Sequence, residues 1–382
     1  MSKINSSIYD YIKSTDKILW TIIISISIYC LLLMKSVSNA GVNFLTIQSL
    51  AIFMGYLGAI CLQFIDYRTI AHHWKWIGAF CVLFIIYTLF FGITVEGSSG
   101  VNARAWIRLP GGITFQPSEL VKIGFIITFS KHLYILTKDN NKILFKDICL
   151  LLIHAMIPVI LTHLQGDDGA AIIFMCMALS MAFIAGVPMK YFISAFIIGV
   201  MLLPLIWHFL LADYQKQRLI NQINPEADPL NMGYQQIQGK LSIASGGIFG
   251  KGLFHGPRVI NGVVPIQESD FVFSVAGEEL GFIGCTFLII LIFALLWRAA
   301  FIGKTACDKL GCYICFGFFS IVAAQTIFNL GMCLSALPVM GVTLPFFSAG
   351  GSSTACLYLG IGIIQNIYMN RMDKKENKLL EE

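Results

Sequence analysis

Apolar residues run in blocks of about twenty along nearly the whole chain, separated by shorter polar interruptions. An α-helix needs about 17–25 such residues to cross the hydrocarbon core of a bilayer. The pattern predicts helices over 18–34, 45–65, 74–96, 116–137, 148–164, 169–188, 191–211, 271–299, 312–335 and 351–369. The fold class that follows is an all-α polytopic membrane protein of about ten transmembrane helices, because lipid leaves no other partner for backbone N–H and C=O groups. The first block follows a polar start with Lys3, Asp10, Lys13 and Asp16 and has no small-residue cleavage site, so it reads as a retained helix.

One interruption is much longer than the rest. Residues 212–270 hold Gly-rich and charged stretches together with amphipathic pieces such as GYQQIQGKLSIA, which predicts a folded re-entrant or interfacial element. The expected organisation is therefore an N-terminal segment 1–17, helices 1–7 in 18–211, a large loop 212–270, helices 8–10 in 271–369 and a tail 370–382. No internal repeat is visible, which argues against an inverted-repeat transporter.

Composition sharpens this picture. Of 382 residues, 57% are hydrophobic and 12% charged, against about 25% charged in a soluble domain. The net charge of +5 reports topology rather than nucleic-acid binding. With the N-terminus in the cytoplasm, Lys17, Arg68, Lys75, Lys131, Lys138, Lys142, Lys146, Lys190, Arg298, Lys304, Lys309 and the tail lysines Lys374, Lys375 and Lys378 fall inside. Both termini are then cytoplasmic, and 97–119, 163–170 and 212–270 face outward. The eleven cysteines fall mostly within apolar blocks. Cys312 and Cys315 form a lone C-x-x-C without a second pair, so packing is the expected role and no disulfide framework is.

Candidate chemistry concentrates in the outward segments. Asp270 closes the long loop just before an apolar helix, and two readings stand side by side: a helix N-cap, or a carboxylate base at the bilayer edge. Gln116, Pro117, Ser118, Glu119 and Lys122 open another helix, with Glu119 and Lys122 spaced for an i,i+3 ion pair. Arg104, Trp106 and Arg108 precede them and would add a cationic, aromatic wall suited to a lipid-linked phosphate. Asp167 and Asp168 sit in a tight turn. Glu278 and Glu279 are adjacent carboxylates in an apolar helix, where a structural role is expected. Ser245–Gly252 (SGGIFGKG) fails as a nucleotide phosphate loop on spacing, leaving close backbone approach to a diphosphate or sugar open. Gln325 and Asn329 share a helix face and read as interhelical glue.

In this order the segments resemble the RodA/FtsW family of shape, elongation, division and sporulation membrane proteins. The resemblance rests on Arg104-Ala-Trp106, Phe115-Gln-Pro-Ser-Glu119 with Lys122, Gln165-Gly-Asp167-Asp-Gly169 and Gly233-Tyr-Gln-x-x-Gln238. It continues through Ser245-Gly-Gly-x-x-Gly-Lys-Gly252, Ser269-Asp270, Glu278-Glu-Leu-Gly281, Gln325-x-x-x-Asn329 and Leu344-Pro-x-x-Ser348-x-Gly-Gly-Ser352. It implies a peptidoglycan glycosyltransferase in the cytoplasmic (inner) membrane that polymerises lipid II on the outer face, with Asp270 as the essential catalytic aspartate. Arg104, Gln116, Glu119, Lys122, Asp167, Arg218, Lys240 and Ser348 form the expected substrate-binding set. A class B penicillin-binding transpeptidase is the implied partner, with lipid II and the nascent glycan as ligands. A divalent cation, Mg²⁺ or Mn²⁺, stays open as a cofactor. A lipid II flippase and a noncatalytic scaffold are the competing readings. The chain departs from the family pattern at Ala349, where a tyrosine is common, and at Asp168 in a leucine position. Before the aspartate it has Pro265-Ile-Gln-Glu268-Ser, with Glu268 in place of a usual histidine.

Overall fold

The computed structural model describes residues 14–38, 43–94, 103–109, 114–138, 143–223 and 232–372. The expected roles of Lys3, Asp10, Lys13, Lys142, the tail lysines and most of 97–113 lie outside these residues. Each predicted block forms a helix. In chain order the elements are α1 Lys17–Val37, α2 Phe44–Gln63, the short α3 Tyr67–His72, α4 Trp74–Phe91, strands β1 Ile107–Arg108 and β2 Thr114–Phe115, α5 Pro117–Thr137, α6 Phe145–Leu164, α7 Asp168–Ile184 and α8 Met189–Leu205. The large loop contributes α9 Asp213–Ile223, α10 Met232–Gly246 and α11 Pro257–Ile260. The last three long helices are α12 Val272–Thr305, α13 Lys309–Cys333 and α14 Gly351–Met369.

The ends obey local chemistry. Asp16 caps α1 by accepting from Ile18 N and Leu19 N, and Asp308 caps α13 by accepting from Gly311 N. α4 stops at Phe91, short of the expected residue 96, because Gly92 turns extended and Ile93 then pairs with Trp106. α7 stops at Ile184, before Gly186 at φ 83° and Pro188.

Among the described residues, eight helical spans are long and apolar enough to cross a membrane, one of them α8 continued to Phe209. Their outer faces carry large apolar side chains such as Phe53 (64% exposed) and Leu83 (65% exposed). An aqueous surface would not tolerate that many, whereas lipid solvates them. Inside, α14 lies along α2, α12 packs against α1 and α13, and α13 contacts α5 and α7. The chain is an integral membrane protein with a packed helical core.

The large loop is folded where it is described, as its amphipathic pattern predicts. α10 packs on α12, which is broken at Gly281 (φ 65°, ψ −161°), a conformation that favours glycine. The glycine-rich stretch fills the break. Lys251 N and Gly252 N donate to the carbonyls of Glu278 and Glu279 at 2.9 and 3.0 Å, and Phe282 N donates to Gly247 O at 2.9 Å. Those N–H groups serve the helix, so SGGIFGKG is not a cradle for diphosphate. Glu278 and Glu279 are structural too: one accepts from Arg258 N at 2.8 Å, the other from the Ser36 hydroxyl at 2.5 Å.

Candidate functional site

The segment Ile266–Phe271 makes a tight turn. The N–H groups of Ser269, Asp270 and Phe271 all point at Ile266 O, at 3.3, 3.1 and 3.4 Å. Ile266 itself sits at φ 54°, an uncommon conformation for a β-branched residue. Such strain persists only where neighbours over-determine it, and here three successive carbonyls are each held from outside. Glu268 O accepts from Ala349 N at 2.7 Å, Ser269 O from the Ser348 hydroxyl at 2.5 Å, and Asp270 O from Asn329 Nδ2 at 2.9 Å. Ser348 Oγ also accepts from Leu344 N at 2.8 Å. The backbone of Asp270 is thereby bolted to α13 and to the broken segment before α14.

Its side chain is treated differently. The cap of α12 is Phe271, with no side-chain capping bond, so Asp270 is not the helix cap its position suggests. Asp270 is 5% exposed, and the Ser269 hydroxyl donates to its carboxylate at 3.2 Å. No cation lies within ion-pair distance of it among the described residues. Burial lifts its pKa from 3.8 to about 6; Glu268 nearby adds to the rise, while the Ser269 hydrogen bond and Arg218 oppose it. Burial raises Glu268 as well.

Asp270 opens onto a cavity of about 210 Å³ into which three helix starts converge. From α5 come Gln116, Glu119 and Lys122, the last two joined at 2.7 Å and both buried. From α7 comes Asp167, which accepts from Ala170 N at 2.9 Å and from Gln116 Nε2 at 2.7 Å. Burial nevertheless pushes Asp167 upward. The third start belongs to α14, with Gly350, Ser352 and Ser353. Trp106, positioned by the Ile93 bridge beside the β1–β2 pair, and Arg218 of α9 complete the polar wall. Gly169 is needed where α7 begins, since a Cβ there would stand 2.6 Å from Met340 O.

The structure thus gathers Asp270, Gln116, Glu119, Lys122, Asp167 and Arg218 in one place. Arg104 and Lys240 do not line it. Arg104 is exposed and attaches through its backbone, N donating to Gln165 O at 3.0 Å, while Lys240 sits exposed on α10. Lys122 is present but already matched by Glu119. Ser348 does not line the cavity either and acts on the Asp270 turn through Ser269 O. Asn329 is more than interhelical glue, because its amide also donates to Val342 O at 2.8 Å and so ties the turn to the broken segment. Gln325, one turn earlier, lines the cavity. The sequence named Ser352 only as the last residue of a family motif, without a role, and did not name Ser353; their signal was a helix start without an acidic or capping side chain. No cluster of three or more His, Cys, Asp or Glu residues is set to hold a metal ion among the described residues.

Comparison with known proteins matches residues 14–373 to the FtsW/RodA/SpoVE family, described as cell cycle proteins. The peptidoglycan glycosyltransferase MrdB of Escherichia coli (strain K12) is 33% identical over 283 residues, covering 74% of this chain and 75% of that protein. A probable peptidoglycan glycosyltransferase FtsW of Geobacter sulfurreducens is 33% identical over 330 residues, covering 86% of each. A chain from a solved peptidoglycan synthase complex, in which polymerization and crosslinking are coordinated, superposes with a TM-score of 0.80 at 28% identity, covering 94% of this chain and 99% of the other.

Proposed function

The chain belongs to the FtsW/RodA/SpoVE family, and from that premise we propose that it is a peptidoglycan glycosyltransferase polymerising lipid II on the outer face of the cytoplasmic membrane. The observation that carries the reading is Asp270: a buried carboxylate that caps no helix, pairs with no cation among the described residues, and opens onto a polar cavity. A base with a pKa near 6 is ionised at neutral pH yet basic enough to take a proton.

The reaction runs as a single displacement. The growing glycan, held as an undecaprenyl diphosphate, is the donor, and lipid II is the acceptor. Asp270 removes the proton of the acceptor GlcNAc 4-hydroxyl as its oxygen attacks C1 of the donor MurNAc. The bond from C1 to the diphosphate oxygen breaks, undecaprenyl diphosphate leaves, and the α-linked donor becomes a β-1,4 bond. Arg218 supplies positive charge on the cavity wall, worth several kcal/mol where it is preorganised. Holding two membrane-tethered substrates at one depth provides much of the remaining acceleration. Lys and Arg placement supports both termini in the cytoplasm. The likeness to a chain of a synthase complex supports a class B penicillin-binding transpeptidase as partner.

The test is polymerisation of lipid II by the purified protein with its transpeptidase in detergent, where no sidedness exists. Glycan strands are the expected product. Lipid II binding without strands would favour the flippase, and wild-type cell-wall growth with Asp270→Asn would favour the scaffold.

A further inference from the structure

A buried anion is costly unless something positive meets it. The cavity already carries Glu119, Asp167, Asp168, Glu268 and Asp270 against Lys122 and Arg218. The diphosphate of a polyprenyl-linked sugar adds more negative charge, so it requires a part of the wall that is locally positive. Lys122 is matched by Glu119 at 2.7 Å.

The helix starts separate the remaining choices, because each presents N–H groups and the positive end of a dipole. The start of α7 is closed by the Asp167 carboxylate, with Asp168 in its first turn. The start of α5 carries Glu119 in its first turn. α14 begins with Gly350 as its cap, no side-chain capping bond and no acid in the first turn. Gly350 N donates to Gln48 Oε1, whereas the N–H groups of Gly351, Ser352 and Ser353 meet no acceptor among the described residues.

A second, independent observation points to a ligand at the same place. Ser352 is 6% exposed and lines the cavity, yet its hydroxyl has no hydrogen-bond partner among the described residues. A helical serine ordinarily donates to the carbonyl one turn back, as Ser27 does to Ile23 O at 2.7 Å. For Ser352 that carbonyl is Ser348 O, which accepts from Gln48 Nε2 at 3.1 Å.

We infer that the start of α14, with the Ser352 hydroxyl and its free N–H groups, is the diphosphate subsite of the cavity, Arg218 lining the same space. Helix N-termini bind phosphate in this way because N–H groups and dipole act together. The assignment rests on the transferase reading above. It gives the leaving diphosphate a place in the same cavity as the Asp270 base.

The experiment measures binding of farnesyl diphosphate and of farnesol to the purified full chain in detergent, for wild type, Ser352→Ala, Ser352→Thr and Ser352→Asp. Ser352→Ala weakens farnesyl diphosphate about fivefold, and Ser352→Thr stays within about twofold because the hydroxyl is kept. Ser352→Asp weakens it by at least about thirtyfold through like-charge repulsion, while suiting the helix dipole and so preserving the fold. Farnesol affinity is unchanged throughout. Wild-type diphosphate affinity in Ser352→Asp, equal loss of alcohol and diphosphate in Ser352→Ala, or no diphosphate binding by wild type overturns the subsite. Lipid II polymerisation by the same proteins separates the two claims. A wild type that binds diphosphate through Ser352 but makes no polymer sinks the transferase reading alone; Ser352→Asp polymerising at the wild-type rate sinks the subsite alone.

Discussion

Asp16, Asp308 and Asp270 each stand within two residues of a helix start, and the first two are held quite differently from the third. Asp16 is 1% exposed. It caps α1 and accepts from Arg298 Nε at 2.6 Å, while its backbone exchanges hydrogen bonds with Gln365 of α14. Asp308 caps α13, accepts from the Tyr67 hydroxyl at 2.5 Å and pairs with Arg68 at 3.0 Å. Asp270 makes neither a cap nor an ion pair among the described residues. At the end of the bundle that holds Asp16 and Asp308, carboxylates are neutralised and serve assembly. Around the cavity, Asp270 is buried without neutralisation, and its raised pKa is the consequence.

The largest expected effect breaks this contrast directly. Asp270→Asn should lower the polymerisation rate about 10²–10⁴-fold with no loss of thermal stability. The shift from 3.8 to about 6 means ionised Asp270 opposes folding by on the order of 2–3 kcal/mol at neutral pH. The sign follows from linkage. Between pH 6 and 4 the folded protein takes up the proton first, so wild type gains stability relative to Asp270→Asn as pH falls through that window. Melting curves across that range check it.

Glu119→Gln or Lys122→Met should each cost about 3–5 kcal/mol of stability, because either leaves its partner buried and unpaired. The double variant should lose clearly less than the sum, as a double-mutant cycle would read. Asp16→Asn keeps a good cap but abandons Arg298. It should cost about 1–3 kcal/mol and leave the rate per folded molecule unchanged, which sharpens the division between the two regions. The smallest effect belongs to Ser348→Ala. Removing the hydroxyl that holds Ser269 O should slow polymerisation about threefold to tenfold, with Ser348→Thr restoring most of the rate.

Much of this organisation was legible in the residues. The helices are set by apolar blocks, so their existence followed from the pattern, whereas several ends moved: α4 and α7 stop early at Gly92 and before Gly186 and Pro188, and α12 runs past the expected 299 to Thr305. The cavity members Gln116, Glu119, Lys122, Asp167 and Asp270 were also legible, because charge and amide groups beside apolar blocks need a wet or paired environment, whereas Arg218, inside the long loop, was named only through the family resemblance. Arg104 and Lys240 were named with that set but do not line the cavity. Their long side chains can point to either side of a loop or helix, and residue type does not say which. Ser352 stood in a family motif without a role for the opposite reason, since the role inferred for it depends on acceptors that are absent or occupied, which only three-dimensional packing reveals.

If a buried Asp270 without an ion-pair partner is the reacting base, the acid limb of the polymerisation rate reports its protonation. Single-turnover rates on lipid II between pH 4.5 and 8, with binding saturated, should fall tenfold per unit below an apparent pKa of about 6. Asp270→Asn should show only a small residual rate without that limb. A wild-type rate that stays flat down to pH 4.5, or the same limb surviving in Asp270→Asn, would rule Asp270 out as the base.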